Sequence, residues 1–274
     1  MAHLMRKLLA GSVLAAGLLT LGTVGTIGTV SLITAAPAAA AVEADVVARW
    51  DTALQGYVQP LDNQGVARFD YAGLTGNQAD RQLLKDYIAH LETKNPDTMS
   101  ENEALAYWAN LYNAVTVDVI VNNYPVSSIR KIRSGFSIGP WKEDRVTVNG
   151  KRMSLDDIEH GTMRKKFPSP LVHYMVNCAS VGCPNLKDGL WHANTLDADR
   201  KAAAETFVNS PRGVRITNKG LQVSSIFKWF QSDFGGNKDG VLAHIRQYGR
   251  PELVKAIDSG AKIRGFEYDW DLNE

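Results

Sequence analysis

Apolar residues recur along the chain at two spacings, and the spacing separates helix from strand. Val46, Val47, Trp50, Leu54 and Tyr57 fall on one helical face. Leu83, Leu84, Tyr87, Ile88 and Leu91 fall on another, closed by Asn95 and Pro96. Between these two helices, Val66 to Tyr71 predicts a short strand. Ser100 and Glu103 have the spacing of a capping box, in which hydroxyl and carboxylate satisfy orphan helix amides. Leu105, Trp108, Leu111, Tyr112, Val115 and Val119 then follow at helical spacing, which predicts a central helix ending near Tyr124 and Pro125.

Asn149-Gly150 tolerates the two positive φ values of a tight hairpin, so Val146 to Val148 should pair with Lys151 to Met153. Ser154 is placed to cap a short helix running through Arg164 and stopped by Pro168 and Pro170. Leu171 to Val176 is a nearly continuous apolar run and predicts a buried strand. A helix over Leu196 to Val208 comes next, then a second hairpin pairing Val214 to Ile216 with Leu221 to Val223 and a helical Ser225 to Phe234. Two short helices and a closing strand near Ile263 to Tyr268 complete the chain. The pattern describes a single α+β domain over residues 42–274, with a central helix, a small mostly antiparallel sheet and two β-hairpins.

The first 41 residues follow a different pattern. Arg6 and Lys7 open an apolar, Gly- and Thr-containing stretch with no further charge until Glu43, and Ala38 to Ala41 offer a small-residue cleavage site before Val42. This reads as a bacterial secretory signal peptide, and the expected location is periplasmic or secreted. The stretch is also long enough to span a bilayer, so membrane contact is expected only if it stays uncleaved. A net charge of +1 over 274 residues leaves no field to concentrate polyanions, which argues against a nucleic-acid partner. Two cysteines are too few for a disulfide scaffold, so their importance should be chemical.

The candidate chemistry lies between His173 and Pro184. On a strand, His173, Met175 and Asn177 share one face, and an imidazole buried there needs a partner. Pro184 suits a first helical position, making Cys183 the N-cap, where free amides favour thiolate. Cys183 is therefore the candidate nucleophile and His173 its base. Glu159 or His160 on the preceding helix, or Asn110 and Asn113 on one face of the central helix, would orient the ring, and amides near Cys183 would hold an oxyanion. The asparagines could equally bond loop backbone.

Other readings remain open. Cys178 and Cys183 could form a structural disulfide or a cycling one. His173, Cys178 and Cys183 could present one nitrogen and two sulfurs to zinc, but the spacing is not that of a zinc knuckle and a fourth ligand is not evident. The chain has no phosphate-cradling glycine loop, serine nucleophile elbow or His-Glu-x-x-His pair, and no cofactor or metal is expected.

The sequence resembles the family known as domain of unknown function 547. The resemblance rests on Tyr107-Trp108-Ala109-Asn110-Leu111-Tyr112-Asn113-Ala114, on Ser154 to His160, on His173 with Asn177 to Pro184, on Ser225 to Phe230, and on Tyr268 to Asn273. It implies no catalytic assignment, because the family has no established activity. Relatives in which such domains accompany glutaredoxin-like or leucine-zipper segments are compatible with thiol chemistry and with an interaction module. The expectation is a cysteine-dependent hydrolase or transferase acting on amide, thioester or peptide-like bonds of a small-molecule or peptide substrate. The alternatives are a non-catalytic envelope binding domain pinned by a Cys178–Cys183 disulfide, and a thiol oxidoreductase.

Overall fold

Ser100 starts the longest helix of the domain. Its amide and hydroxyl both donate to the Glu103 carboxylate, at 2.9 and 2.6 Å. In the computed structural model, which describes residues 38–134 and 137–274, the elements before this helix are α1 (Ala38–Tyr57), β1 (Val58–Leu61), β2 (Ala67–Phe69), α2 (Tyr71–Gly76) and α3 (Gln78–Glu92). The helix itself, α4, spans Glu101–Asn123 and is buried almost all round, which marks it as a core element. It packs against α2, α3 and a later π-helix. The signal-peptide reading falls on residues 1–37, outside the described residues, and up to Ala41 just inside them. Among the described residues no helix is long and apolar enough to cross a membrane.

Beyond α4 come the ribbon β3 (Arg133–Ser134) with β4 (Ser137–Ile138), and the hairpin β5 (Val146–Val148) with β6 (Lys151–Met153). Asn149 and Gly150 take φ values of 51° and 75°, as a two-residue turn of this hand requires. Ser154 then caps a helical segment whose wide turns, Asp157–Met163, are a π-helix continuing into α5 (Arg164–Lys166). The C-terminal part contains α6 (Leu196–Val208), the hairpin β7 (Val214–Thr217) and β8 (Gly220–Ser224), α7 (Ile226–Trp229), α8 (Lys238–Tyr248), α9 (Pro251–Asp258) and β9 (Ile263–Glu267). β9 joins β8 in parallel, so the largest sheet is a mixed one of three strands, and the other pairs are separate antiparallel ribbons. The α+β class holds, with helices and several small separate sheets.

Three expectations fail, and all bear on the site. The helix expected over Ser225 to Phe234 covers only Ile226–Trp229, which leaves Asp233 in an irregular turn. Leu171 to Val176 is not a strand: Pro170–Tyr174 is a 3₁₀ helix, started where Ser169 Oγ accepts the Leu171 amide at 3.3 Å. A short apolar run does not distinguish a buried strand from a buried helical turn, and Pro170 at the first position tips it to the turn. The alternation argument for His173 therefore lapses. Likewise no helix follows Pro184. The Leu190 amide donates to Asp51 Oδ1 at 2.6 Å and the Trp191 amide to Asn110 Oδ1 at 2.9 Å, so distant side chains take donors that a helix would have used. Cys183 sits in a turn, its amide on the Ser180 carbonyl at 3.0 Å, and is not a helix cap.

The core divides in two. One apolar cluster surrounds α4 and includes Met175 and Val176, and a second, around Phe207, Phe227 and Phe234, includes Leu171 and Tyr174. The segment carrying His173 runs along the seam between them.

Candidate functional site

The loop from Asn177 to Cys183 is fixed by side chains that arrive from several elements. Asn113 on α4 donates to the Met175 carbonyl and accepts the Asn177 amide, each at 2.9 Å. The Asn177 carboxamide accepts the Ala179 amide at 2.8 Å and donates to the Pro184 carbonyl at 2.7 Å. Ala179, fully buried, is held at φ 57°, a left-handed conformation that costs a residue with a Cβ of order 1 kcal/mol or more. The chain's C-terminal strap closes the other side, with the Val181 and Gly182 amides donating to the carbonyls of Asp271 and Asp269 at 2.9 and 2.8 Å. Arg212 donates to the carbonyls of Val181, Cys183 and Gly65 and to Asn185 Oδ1.

This frame brings both thiols together. The Sγ atoms of Cys178 and Cys183 lie 2.9 Å apart, and both cysteines are free. Ser180 Oγ and Tyr268 Oη stand 3.2 and 3.1 Å from Cys178 Sγ. The Cys178 amide donates to Cys183 Sγ at 3.0 Å. Hydrogen bonding to Cys183, then to Ser180 and Tyr268, pulls the Cys178 thiol below its ordinary value, against the opposing effect of burial. Burial, followed by the neighbouring sulfur, pushes Cys183 well up. Half-buried Cys178 is thus the sulfur disposed to ionise, and Cys183 the proton-keeping partner. This reverses the order expected from the absent helix cap.

His173 is nearly inaccessible and is held by a residue that the sequence reading missed. Its Nε2 lies 2.8 Å from Asp233 Oδ2, and Phe230 stacks on the ring with centroids 4.3 Å apart. Arg164 grips the same Asp233 carboxylate at 2.6 and 2.9 Å. Bonds from His173 and Arg164 hold Asp233 far below the usual carboxylate range, so it only accepts, and Nε2 must carry the ring proton. Nδ1 is then an unprotonated acceptor on the Glu159 side, 3.8 Å from Oε1. Burial lowers the His173 pKa despite Asp233 and keeps the imidazole neutral. Burial raises Glu159, opposed by His160 and by a hydrogen bond from Tyr112.

Cys178, Cys183, His173 and Glu159 all line one cavity of about 170 Å³, walled by Trp141, Trp229, Phe230, Tyr268 and Trp270. Asn110 and Asn113 lie elsewhere. Asn110 bonds both ways to the Trp191 backbone and Asn113 to Met175 and Asn177, so neither contacts His173 and both anchor loops instead. The backbone amides expected to hold an oxyanion are also committed, those of Cys178, Ala179, Val181, Gly182 and Cys183 each having an internal acceptor. Two tyrosines among the lining residues carry hydroxyl donors. Tyr112 and Tyr268 keep their protons because burial raises both well above the ordinary tyrosine value. Tyr268 stood within a stretch carrying the family resemblance. Asp233 had no signal, since it lies in an irregular turn and acts 60 positions away from its histidine. Among the described residues no group of His, Cys, Asp and Glu is arranged to hold a metal ion.

Comparison with known proteins adds a family and no activity. No curated protein matches the chain, and no solved structure matches it either. Asp233, Tyr268 and the aromatic wall from Trp229 to Phe230 lie beyond the region that a family model recognises. Residues 96–208, which contain α4, the π-helix, His173 and both cysteines, match the family described as Protein of unknown function, DUF547.

Proposed function

We propose that the protein is a cysteine-dependent acyl hydrolase or transferase, acting outside the cytoplasm, with Cys178 as its nucleophile. One observation supports this most directly: a thiol ringed by hydrogen-bond donors shares a small aromatic cavity with an imidazole anchored by a carboxylate. In this reading His173 accepts the Cys178 proton on Nδ1, and the sulfur attacks the carbonyl carbon of an amide or thioester. The tetrahedral oxyanion is held by a tyrosine hydroxyl. The bond to the leaving group breaks as His173 returns the proton to it. Water then attacks the acyl-sulfur bond, His173 taking its proton, and the acid leaves as the thiol is restored. Asp233 stabilises the imidazolium throughout. Arg164 keeps Asp233 ionised.

The distance of 2.9 Å between the sulfurs favours a second reading, a dithiol that exchanges with disulfides. There, Cys178 attacks an external disulfide, releasing one thiol, and Cys183 displaces the other to leave an internal disulfide. A panel of chromogenic thioesters and amides, assayed with Cys178→Ser and Cys183→Ser, separates the two. Acyl transfer should fall about a thousandfold or more in Cys178→Ser and persist in Cys183→Ser. Reduction of an external disulfide to completion needs both sulfurs, and a protein that does only that is an oxidoreductase. Retained acyl transfer in Cys178→Ser rejects the assignment.

A further inference from the structure

The cavity has a polarity that the reaction alone does not demand. Its acidic lining consists of Asp156 and Glu159, and no lysine or arginine is among its lining residues. The remaining wall is largely aromatic: Trp270 lies 5.8 Å from Trp141, 5.6 Å from Trp229 and 4.6 Å from Tyr268, centroid to centroid. Aromatic faces carry partial negative charge, so π-systems and carboxylates act in the same direction. Trp229 is 48% exposed, a degree of exposure unusual for so large an apolar side chain, and it leaves part of the indole open to a ligand.

The nearby cations are already matched or lie elsewhere. Arg164, 4.8 Å over Phe230, is spent on Asp233. Arg130 sits 5.1 Å over Trp270 and lines a different depression. His160 stands between the carboxylates, 3.8 Å from Asp156 and 3.7 Å from Glu159, and its Nδ1 makes no hydrogen bond. A cavity of about 170 Å³ takes a group little larger than a benzene ring, so the occupant is small.

Resting on the reading of Cys178 as nucleophile, we infer that the site selects substrates carrying a small cationic group, a protonated amine or alkylammonium, beside the bond attacked. Asp156 supplies the charge, and Trp141 and Trp229 the π faces. The substrate class is aminoacyl or aminoalkyl esters, thioesters and amides, and carboxylate-bearing analogues are rejected by like-charge repulsion.

Covalent probes test this without knowledge of the true substrate. At pH 8, the full chain is treated with 2-bromoethylammonium, iodoacetamide or iodoacetate, and alkylation of Cys178 is followed by mass spectrometry. In each case the sulfur–carbon bond forms as the carbon–halogen bond breaks and halide leaves. Rates are divided by those for 2-mercaptoethanol, which removes the intrinsic reactivity of each reagent. The cationic probe should exceed the anionic one by about tenfold at low salt, a preference that shrinks in concentrated sodium chloride. Asp156→Asn should narrow it further, and the salt series gives the same information if that variant does not fold. A corrected ratio no greater than about threefold overturns the inference while leaving the nucleophile intact. Failure of all probes at Cys178 in the folded protein, with reaction in the unfolded one, overturns both.

Discussion

Cys178 and Cys183 have the same side chain, so their difference in reactivity comes from what surrounds each sulfur. Cys178 gathers Cys183, Ser180 and Tyr268 around it, whereas Cys183 is buried. A hydrogen bond to an ionised group is worth about 1.5–3 kcal/mol, so losing one should raise the thiol by about one pKa unit or more. The pH profile of iodoacetamide alkylation should accordingly have a midpoint below 9.0 in the native protein, because the folded environment lowers the Cys178 pKa. In Tyr268→Phe or Cys183→Ala the midpoint should move upward, with the rate at pH 7 falling about tenfold. Coincident profiles for all three proteins would show that these donors do not tune the sulfur. The sequence singled out both thiols and ranked Cys183 first, on a helix cap that the structure does not form. The ranking depends on Tyr268, 90 positions away, and on the absence of a helix that Pro184 had suggested.

Elements that were legible in the sequence are those whose ends carry their own chemistry. The capping box of α4, the Asn-Gly turn between β5 and β6, and the periodic run of α6 needed no distant partner to form. The 3₁₀ turn at His173 and the loop after Cys183 do need one, since their backbone groups are satisfied by Asn110, Asn113, Asp51 and Arg212. Asn113→Ala strands the buried Asn177 amide and leaves the Met175 carbonyl with Trp191 Nε1 as its remaining donor. It should cost about 1–3 kcal/mol, seen as a lower urea midpoint at unchanged slope. An unchanged midpoint would mean that the loop has another support. Gly182→Ala tests the opposite side of the same loop, because an added Cβ would lie 2.8 Å from the Asp269 amide and carbonyl. The strap must then move and carry Tyr268 away from Cys178. The expected result is slower alkylation of Cys178 with the far-ultraviolet circular dichroism preserved, and native alkylation kinetics would show that the strap is not coupled to the sulfur.

Across the whole molecule, the site exists because two apolar clusters meet along the segment 170–178, each contributing residues to it. The cluster around α4 brings Tyr112 and the cysteine loop close to Glu159, and the second brings Phe230 and Asp233 to His173. Arg164 crosses the seam to reach Asp233. Stability of the second cluster therefore bears directly on the site, and it contains a buried base of its own. His244 is 2.7 Å from the Tyr174 hydroxyl, and burial lowers its pKa to about 4 from 6.5. A base depressed in the folded state is protonated more readily in the unfolded chain, so its contribution is full above pH 6.5 and is lost as pH falls toward 4. The shift corresponds to about 3 kcal/mol, and His173, also lowered by burial, acts in the same direction. Urea unfolding between pH 7 and pH 4 should show stability declining steadily through this window. In His244→Gln, which keeps a polar group for Tyr174 but does not titrate, the decline should be shallower by about that amount, even though the variant starts less stable. Parallel curves for the two proteins would place the acid sensitivity elsewhere. Acid loss of the proposed acyl transfer would then be a property of His173 protonation alone, reversible and without unfolding, whereas convergent curves would tie the lower pH limit of that proposed activity to melting of the cluster that holds Asp233.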